Sequence, residues 1–177
     1  MKKLALLPFV ISYSVWAALP LLPIPRHLMP DYFLEGAFEG GGDVRANLET
    51  IRFAAHAGLE YERWELEFSS LGTRKLAATA PRFQLRYEAA NETHGPRFLV
   101  LLKGVENNYL NQTQLRAAVK NSRLLKDIVV YPQIENGDLA LEISLRSAVA
   151  FQAIQPESRP GRLLLDLRKR DFVPQLQ

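Results

Sequence analysis

Tyr61-Glu62-Arg63-Trp64-Glu65-Leu66-Glu67-Phe68 is the stretch whose pattern decides the fold. Trp64, Leu66 and Phe68 recur at every second residue, with Tyr61, Arg63, Glu65 and Glu67 at the positions between and before them. Side chains alternate across a β-strand, so this period sets one face on a core and the other in water. Upstream, Ile51, Phe53 and Ala55 alternate with Arg52, Ala54 and His56, a half-buried strand that turns at His56-Ala57-Gly58. Downstream, Ser69-Ser70-Leu71-Gly72 closes the central strand.

The same logic continues to the C-terminus. Lys75 to Ala80 is a weak short strand, because Ala77-Ala78 lowers its propensity. Phe83, Leu85 and Tyr87 alternate with Arg82, Gln84 and Arg86 after Pro81. Arg97-Phe98-Leu99-Val100-Leu101-Leu102 is apolar on both faces and is expected at the centre of a sheet. Asn111 stands before Leu115, Ala118 and Val119 as the N-cap of a short helix. Asp127 to Ile134 is rich in β-branched residues, Asn136-Gly137 signals a hairpin, and Leu139 to Leu145 alternates again. Val149 to Ile154 and Arg162 to Arg168 complete the set, separated by a turn through Pro160-Gly161. About eight strands and at most one short helix predict an all-β sandwich of two small, mainly antiparallel sheets. No internal repeat is legible: Pro81-Arg82-Phe83 and Pro96-Arg97-Phe98 echo each other over three residues only.

The ends of the chain differ in kind. Lys2 and Lys3, the apolar run Leu4 to Trp16 and the small residues Val15 and Ala17 make residues 1–17 a signal peptide. That run is too short for a stable transmembrane anchor, and Pro8, Ser12 and Ser14 break it. Residues 18–47 are expected to be a Pro/Gly-rich linker, with Tyr32-Phe33-Leu34 and Phe38 forming a strap on the domain or touching a partner; the strap is the simpler expectation. The folded domain spans residues 48–170, and 171–177 form a tail. The net charge is +3, and loss of Lys2 and Lys3 leaves 20 basic against 19 acidic residues. A balance so near neutral gives no support for nucleic-acid binding. The absence of cysteine removes disulfides, thiolate chemistry and Cys-ligated zinc.

Three segments give the chain a resemblance to a known family. They are Ile51-Arg52-Phe53 leading into Arg63-Trp64-Glu65-Leu66-Glu67-Phe68, then Pro96-Arg97-Phe98-Leu99-Val100-Leu101, and finally Leu139 to Leu145 with Arg162-Leu163-Leu164-Leu165-Asp166-Leu167. In this order they resemble the AMIN domain, a periplasmic module found beside N-acetylmuramoyl-L-alanine amidases and in type IV pilus secretins. The likeness runs from Leu48 to Arg168. It implies a two-sheet sandwich, periplasmic or other cell-envelope localisation, and non-enzymatic binding to peptidoglycan or another envelope polymer. No amidase or secretin sequence follows Arg168, so the expectation is a domain that localises a separate envelope protein or acts alone. A second implied role is a protein–protein interaction module, where an exposed strand edge pairs with a strand of an amidase, secretin or pilus component.

Candidate chemistry is sparse. Glu62, Glu65, Glu67, Glu142 and Asp166 are the carboxylates available to a small wall hydrolase, the third function class considered. Same-face strand neighbours such as Glu65 and Glu67 lie about 7 Å apart, and a solvated strand face accounts for them as well. Asp166 has Arg168 two residues along and is expected to be a paired charge rather than an active-site acid. His27, His56 and His94 lack ligand spacing, and Gly40-Gly41-Gly42 lacks the frame of a phosphate loop, so no metal or cofactor is expected. One constellation stands out. If their strands are neighbours, Tyr61, Arg63, Arg82, Gln84 and Arg86 combine arginine forks that match carboxylates with a stacking surface. The competing expectation pairs Arg63 with Glu65 and Glu67 across strands.

Overall fold

The two-residue period of Tyr61–Phe68 is realised in the structure, a computed structural model that describes residues 32–56, 61–133 and 137–170. In chain order these residues form β1 (Gly36–Gly40), β2 (Ala46–His56), β3 (Tyr61–Ser70), β4 (Phe83–Glu88), β5 (Arg97–Leu102), β6 (Val105–Asn108), α1 (Gln112–Asn121), β7 (Leu125–Val130), β8 (Leu139–Leu145), β9 (Val149–Ile154) and β10 (Arg162–Lys169). They build two five-stranded sheets, a first of order β6-β2-β3-β10-β9 and a second of order β1-β4-β5-β8-β7. Every pairing is antiparallel except β2 with β6. The sandwich read from the sequence is therefore the fold. The signal-peptide stretch, residues 18–31, the turn at 57–58, Asn136 and the tail lie outside the described residues.

The inner faces pack Trp64, Leu66, Phe68, Leu163, Leu165 and Leu167 from the first sheet against Phe83, Leu85, Phe98, Val100, Leu102, Leu141 and Ile143 from the second. Phe151 ties the layers together. Its ring centroid lies 4.8 Å from Phe98, 5.3 Å from Tyr87 and 5.4 Å from Phe38. One open side of the sandwich is closed by α1, which lies against β7 and β2. Asn111 caps this helix as expected, accepting from the backbone N–H of Thr113 at 3.0 Å and of Gln114 at 3.1 Å. Leu115 and Val119, one turn apart, are its buried face. The exit is fixed by Glu62, whose carboxylate accepts from Ser122 Oγ at 2.5 Å and from the Arg123 backbone N–H at 2.6 Å. No helix among the described residues is long and apolar enough to cross a membrane.

The opposite side is closed by residues expected to be linker. Phe33 exchanges two backbone hydrogen bonds with Phe151, at 2.8 and 2.9 Å, on the edge strand of the first sheet. Three residues on, β1 pairs with β4 at the edge of the second. Residues 32–47 are thus a strap, and the folded body begins before Leu48. The glycine run is part of this packing. Gly41 has φ +82°, and a Cβ there would collide with the Pro81 carbonyl. Lys75 to Ala80 forms no strand; Leu76 makes an isolated bridge to Ser69.

The connectivity contains a two-fold relation that the sequence did not suggest. β2-β3-β4-β5 gives one hairpin to each sheet, and β7-β8-β9-β10 does the same with the sheets exchanged. Replacing β2, β3, β4 and β5 by β7, β8, β9 and β10, and the reverse, turns the run β2-β3-β10-β9 of the first sheet into β7-β8-β5-β4 of the second; β1 and β6 fall outside the relation. The registers agree: Arg97–Ser144, Leu99–Glu142 and Leu101–Ala140 in the second sheet occupy the places of Arg162–Glu67, Leu164–Glu65 and Asp166–Arg63 in the first. The structural counterpart of Arg97-Phe98 is accordingly Arg162-Leu163, not the sequence echo Arg82-Phe83. Because Phe151 joins both sheets and the strap, Phe151→Ala should cost about 3–5 kcal/mol, read as a lower urea midpoint without loss of cooperativity.

Candidate functional site

The five residues expected to form one patch belong to two different sheets. β3 is flanked by β2 and β10, whereas β4 is flanked by β1 and β5. Tyr61 and Arg63 face outward from the first sheet, and Arg82, Gln84 and Arg86 face outward from the second. The whole core separates the two groups, so the combined Tyr61, Arg63, Arg82, Gln84 and Arg86 site does not assemble. Alternation identified the outer face of each strand correctly but carried no information on sheet membership.

The outer face of the first sheet is also not the water-facing surface expected. Tyr61 is 3% exposed, Arg63 5%, Glu65 4% and Asp166 3%. Arg63 donates to Asp166 through Nε and Nη2, each at 2.6 Å, a bidentate pair between directly opposed residues. Arg162 lies 2.7 Å from Glu65 and 2.8 Å from Glu67, so neither glutamate takes Arg63. Tyr61 stacks on His56 with centroids 4.5 Å apart. Arg168 lies over the Tyr32 ring at 4.6 Å and at 5.9 Å from that of Tyr61. Burial alone would push the Arg63 guanidinium down, but the hydrogen bonds and charge of Asp166 more than offset it and hold its pKa above the ordinary value. Burial, then the charge of Asp166, push the Tyr32 phenol up to about 12. Asp166 is thus a buried, paired charge as expected, with the cross-strand Arg63 as its partner.

The outer face of the second sheet is open. Leu99 and Leu101 of β5, Ala37 of β1 and Ala140 of β8 floor a shallow trough of about 350 Å³. Gln84, Arg86 and Glu39 rim one end, and Tyr131, 43% exposed, stands at the other. Gln84 Nε2 donates to Glu39 at 2.9 Å. A polar chain runs along the rim: Arg86 to Glu88 at 2.5 Å, Arg97 to Glu88 at 2.8 Å, Arg97 to Glu142 at 3.4 Å, and the Tyr131 hydroxyl to Glu142 at 2.8 Å. The Arg97 hydrogen bond holds Glu88 below the usual carboxylate range, and the hydrogen bond to Glu142 holds the Tyr131 phenol above its ordinary value.

The trough exists because of one substitution in the two-fold pattern. Where the first sheet has Arg63 opposite Asp166, the second has Ala140 opposite Leu101. Gln152 and Gln84 occupy matching places beside them. A large ion pair fills the position on one face; a methyl and an isobutyl group leave it hollow on the other. Of the residues singled out from the sequence, Gln84 and Arg86 line this trough, while Arg82 is exposed outside its lining. Ala37, Glu39, Leu99, Leu101, Tyr131 and Ala140 were missed. The signal that marked them was the two-sided apolar run Leu99 to Leu102, since an antiparallel sandwich ordinarily carries polar residues outside. The arrangement offers apolar contact, an aromatic ring and planar hydrogen-bonding groups on a rigid sheet. Among the described residues no group of three or more His, Cys, Asp or Glu side chains is placed to hold a metal ion. No family model and no curated protein matches this chain.

Two predictions follow from the first-sheet face. Asp166→Ala leaves a buried, unpaired guanidinium and should cost about 3–5 kcal/mol by urea denaturation, whereas the double change Arg63→Met with Asp166→Leu should recover most of that loss. Burial, then the charge of Arg63, push the His56 imidazole below its ordinary 6.5, against a smaller opposing effect of Asp166. The unfolded chain therefore binds this proton first as pH falls. The associated stability is intact above pH 6.5 and declines below it. Denaturation midpoints should drop less on acidification in His56→Phe, which keeps the stack on Tyr61, than in the parent.

Proposed function

We propose that the chain is a non-catalytic, exported envelope module that binds peptidoglycan through the outer face of the second sheet. The observation that carries this reading is the trough itself. Its floor of Leu99, Leu101, Ala37 and Ala140 is apolar and flat enough for the faces of sugar rings. Tyr131 supplies an amphipathic ring at one end, and Gln84, Glu39 and Arg86 supply hydrogen-bonding groups at the other. Such sites bind by matching an apolar ring face to a flat surface while a few planar polar groups fix orientation.

The resemblance to AMIN domains supports the same reading, as does the two-sheet architecture expected of that family. The rim adds a preference for anionic groups, because Arg86 reaches the trough with a guanidinium that stays partly in water. Lactyl and peptide-stem carboxylates of wall material present this chemistry.

Co-sedimentation with purified sacculi tests the proposal. The parent chain should pellet with sacculi, and Tyr131→Ala combined with Gln84→Ala should weaken binding about tenfold or more while leaving the circular dichroism spectrum unchanged. A parent chain that stays in the supernatant, or a double variant that binds as the parent does, contradicts it.

A further inference from the structure

A second surface lies around the other end of β7. Its free edge is the outermost of the second sheet. Tyr131 donates its backbone N–H to the Ala140 carbonyl at 3.0 Å, so the intervening groups of Val130 and Ile128 point away from β8. The Ile128 N–H is met by Asp127 Oδ1 at 2.9 Å, a side chain standing where a ladder partner would be. The edge is β-branched and partly uncovered, with Val129 39% exposed. An edge strand presents outward N–H and C=O groups, which are a template for a further strand.

A groove of about 280 Å³ runs between this edge and α1, lined by Gln112, Leu115, Arg116 and Val119 of the helix and Asp127 to Val130 of the strand. Cations border it. Arg116 and Lys120 are one turn apart on α1, Arg123 and Lys126 lie on the way into β7, and Arg146 joins them by donating its backbone N–H to the Leu124 carbonyl at 2.8 Å. All five are exposed, and among the described residues none is in an ion pair. Elsewhere arginines such as Arg63, Arg97 and Arg162 find carboxylates in the fold. Here five cations gather beside two carboxylates, exposed Asp127 and buried Glu62, which is held by Ser122 Oγ and the Arg123 backbone N–H.

We propose that this groove docks an extended acidic segment of another protein, which adds as a strand to the free edge of β7. The outward C=O of Ile128 and the N–H and C=O of Val130 supply ladder bonds, and the five cations select acidic side chains on the incoming strand. A second copy of this chain is a poor occupant, because edge-to-edge pairing of two β7 strands would bring two such belts together. The proposal stands on a surface separate from the trough and is independent of wall binding.

Fluorescence anisotropy with the full chain tests it, using a labelled peptide of alternating glutamate and valine, its lysine–valine counterpart, and a glutamate–valine peptide N-methylated at every second residue. The acidic peptide should bind, weaken at high salt, and lose about tenfold or more in the exposed double variant Arg116→Glu with Lys120→Glu. The lysine–valine and N-methylated peptides should not bind. Equal binding of acidic and basic peptides, or unchanged binding to the double variant, overturns the proposal. Full binding of the N-methylated peptide overturns strand addition. Tighter binding to phosphatidylglycerol vesicles than to the peptide overturns the choice of a protein partner in favour of a membrane surface. Sacculus binding by the double variant is read separately and should be unaffected.

Discussion

Each sheet is closed at its centre by strands from opposite halves of the chain. β3 meets β10 in the first sheet and β5 meets β8 in the second, so neither half completes a sheet alone. The Arg63–Asp166 pair spans 103 residues across the first of these seams. Such an ion pair contributes little net stability once its desolvation is counted. Its physical effect is on register. A one-residue slip between β3 and β10 would turn every side chain to the wrong face. A two-residue slip would keep the faces but set Asp166 opposite Glu65 or Tyr61 instead of Arg63. The first choice buries like charges and the second strands a carboxylate, so the native pairing is selected over its nearest competitors. Non-local seams of this kind also place the fold among the slower-forming topologies.

The two-fold relation makes the sheets comparable position by position. Backbone pairing and inner apolar residues are retained in both halves, because both must cover the same core. The outer faces have no such common constraint. One is knitted by Arg63, Asp166, Glu65 and Arg162. The other keeps its charges at the rim and its centre apolar. The same architecture thus gives one cohesive face and one receptive face, and the difference rests on two pairs of residues.

The parts legible in the sequence were those decided locally. The alternation of Tyr61–Phe68 and the N-cap at Asn111 each express a short-range rule, and each element is found where that rule puts it; the β-branched run expected over Asp127 to Ile134 forms a strand earlier, at Leu125–Val130. What escaped was decided by partners far along the chain. β1 has glycine at both ends and little intrinsic strand preference; its conformation comes from pairing with β4 and from Phe38 entering the aromatic cluster. β6 is four residues, mostly polar, held parallel to β2. The candidate site failed for the same reason. Arg63 and Arg86 both alternate correctly, yet which sheet each joins is a property of topology. The trough was visible only as an anomaly, a strand apolar on the side where water was expected.

The strap has a mechanical meaning. Phe33 is tied to β9 in the first sheet and β1 to β4 in the second, so the chain enters the domain across both layers. Tension applied from the N-terminal side would load the Tyr32–Arg168 contact and the two backbone bonds at Phe33 first, and then the β1 ladder. Yielding there would release residues 33–45, roughly 40 Å of extended chain, while the seams at β3–β10 and β5–β8 carried no load. The entry segment is in effect a sacrificial hinge: it can give way under a pull and re-zip afterwards, taking Ala37 and Glu39 out of the trough while the two seams keep the sandwich closed.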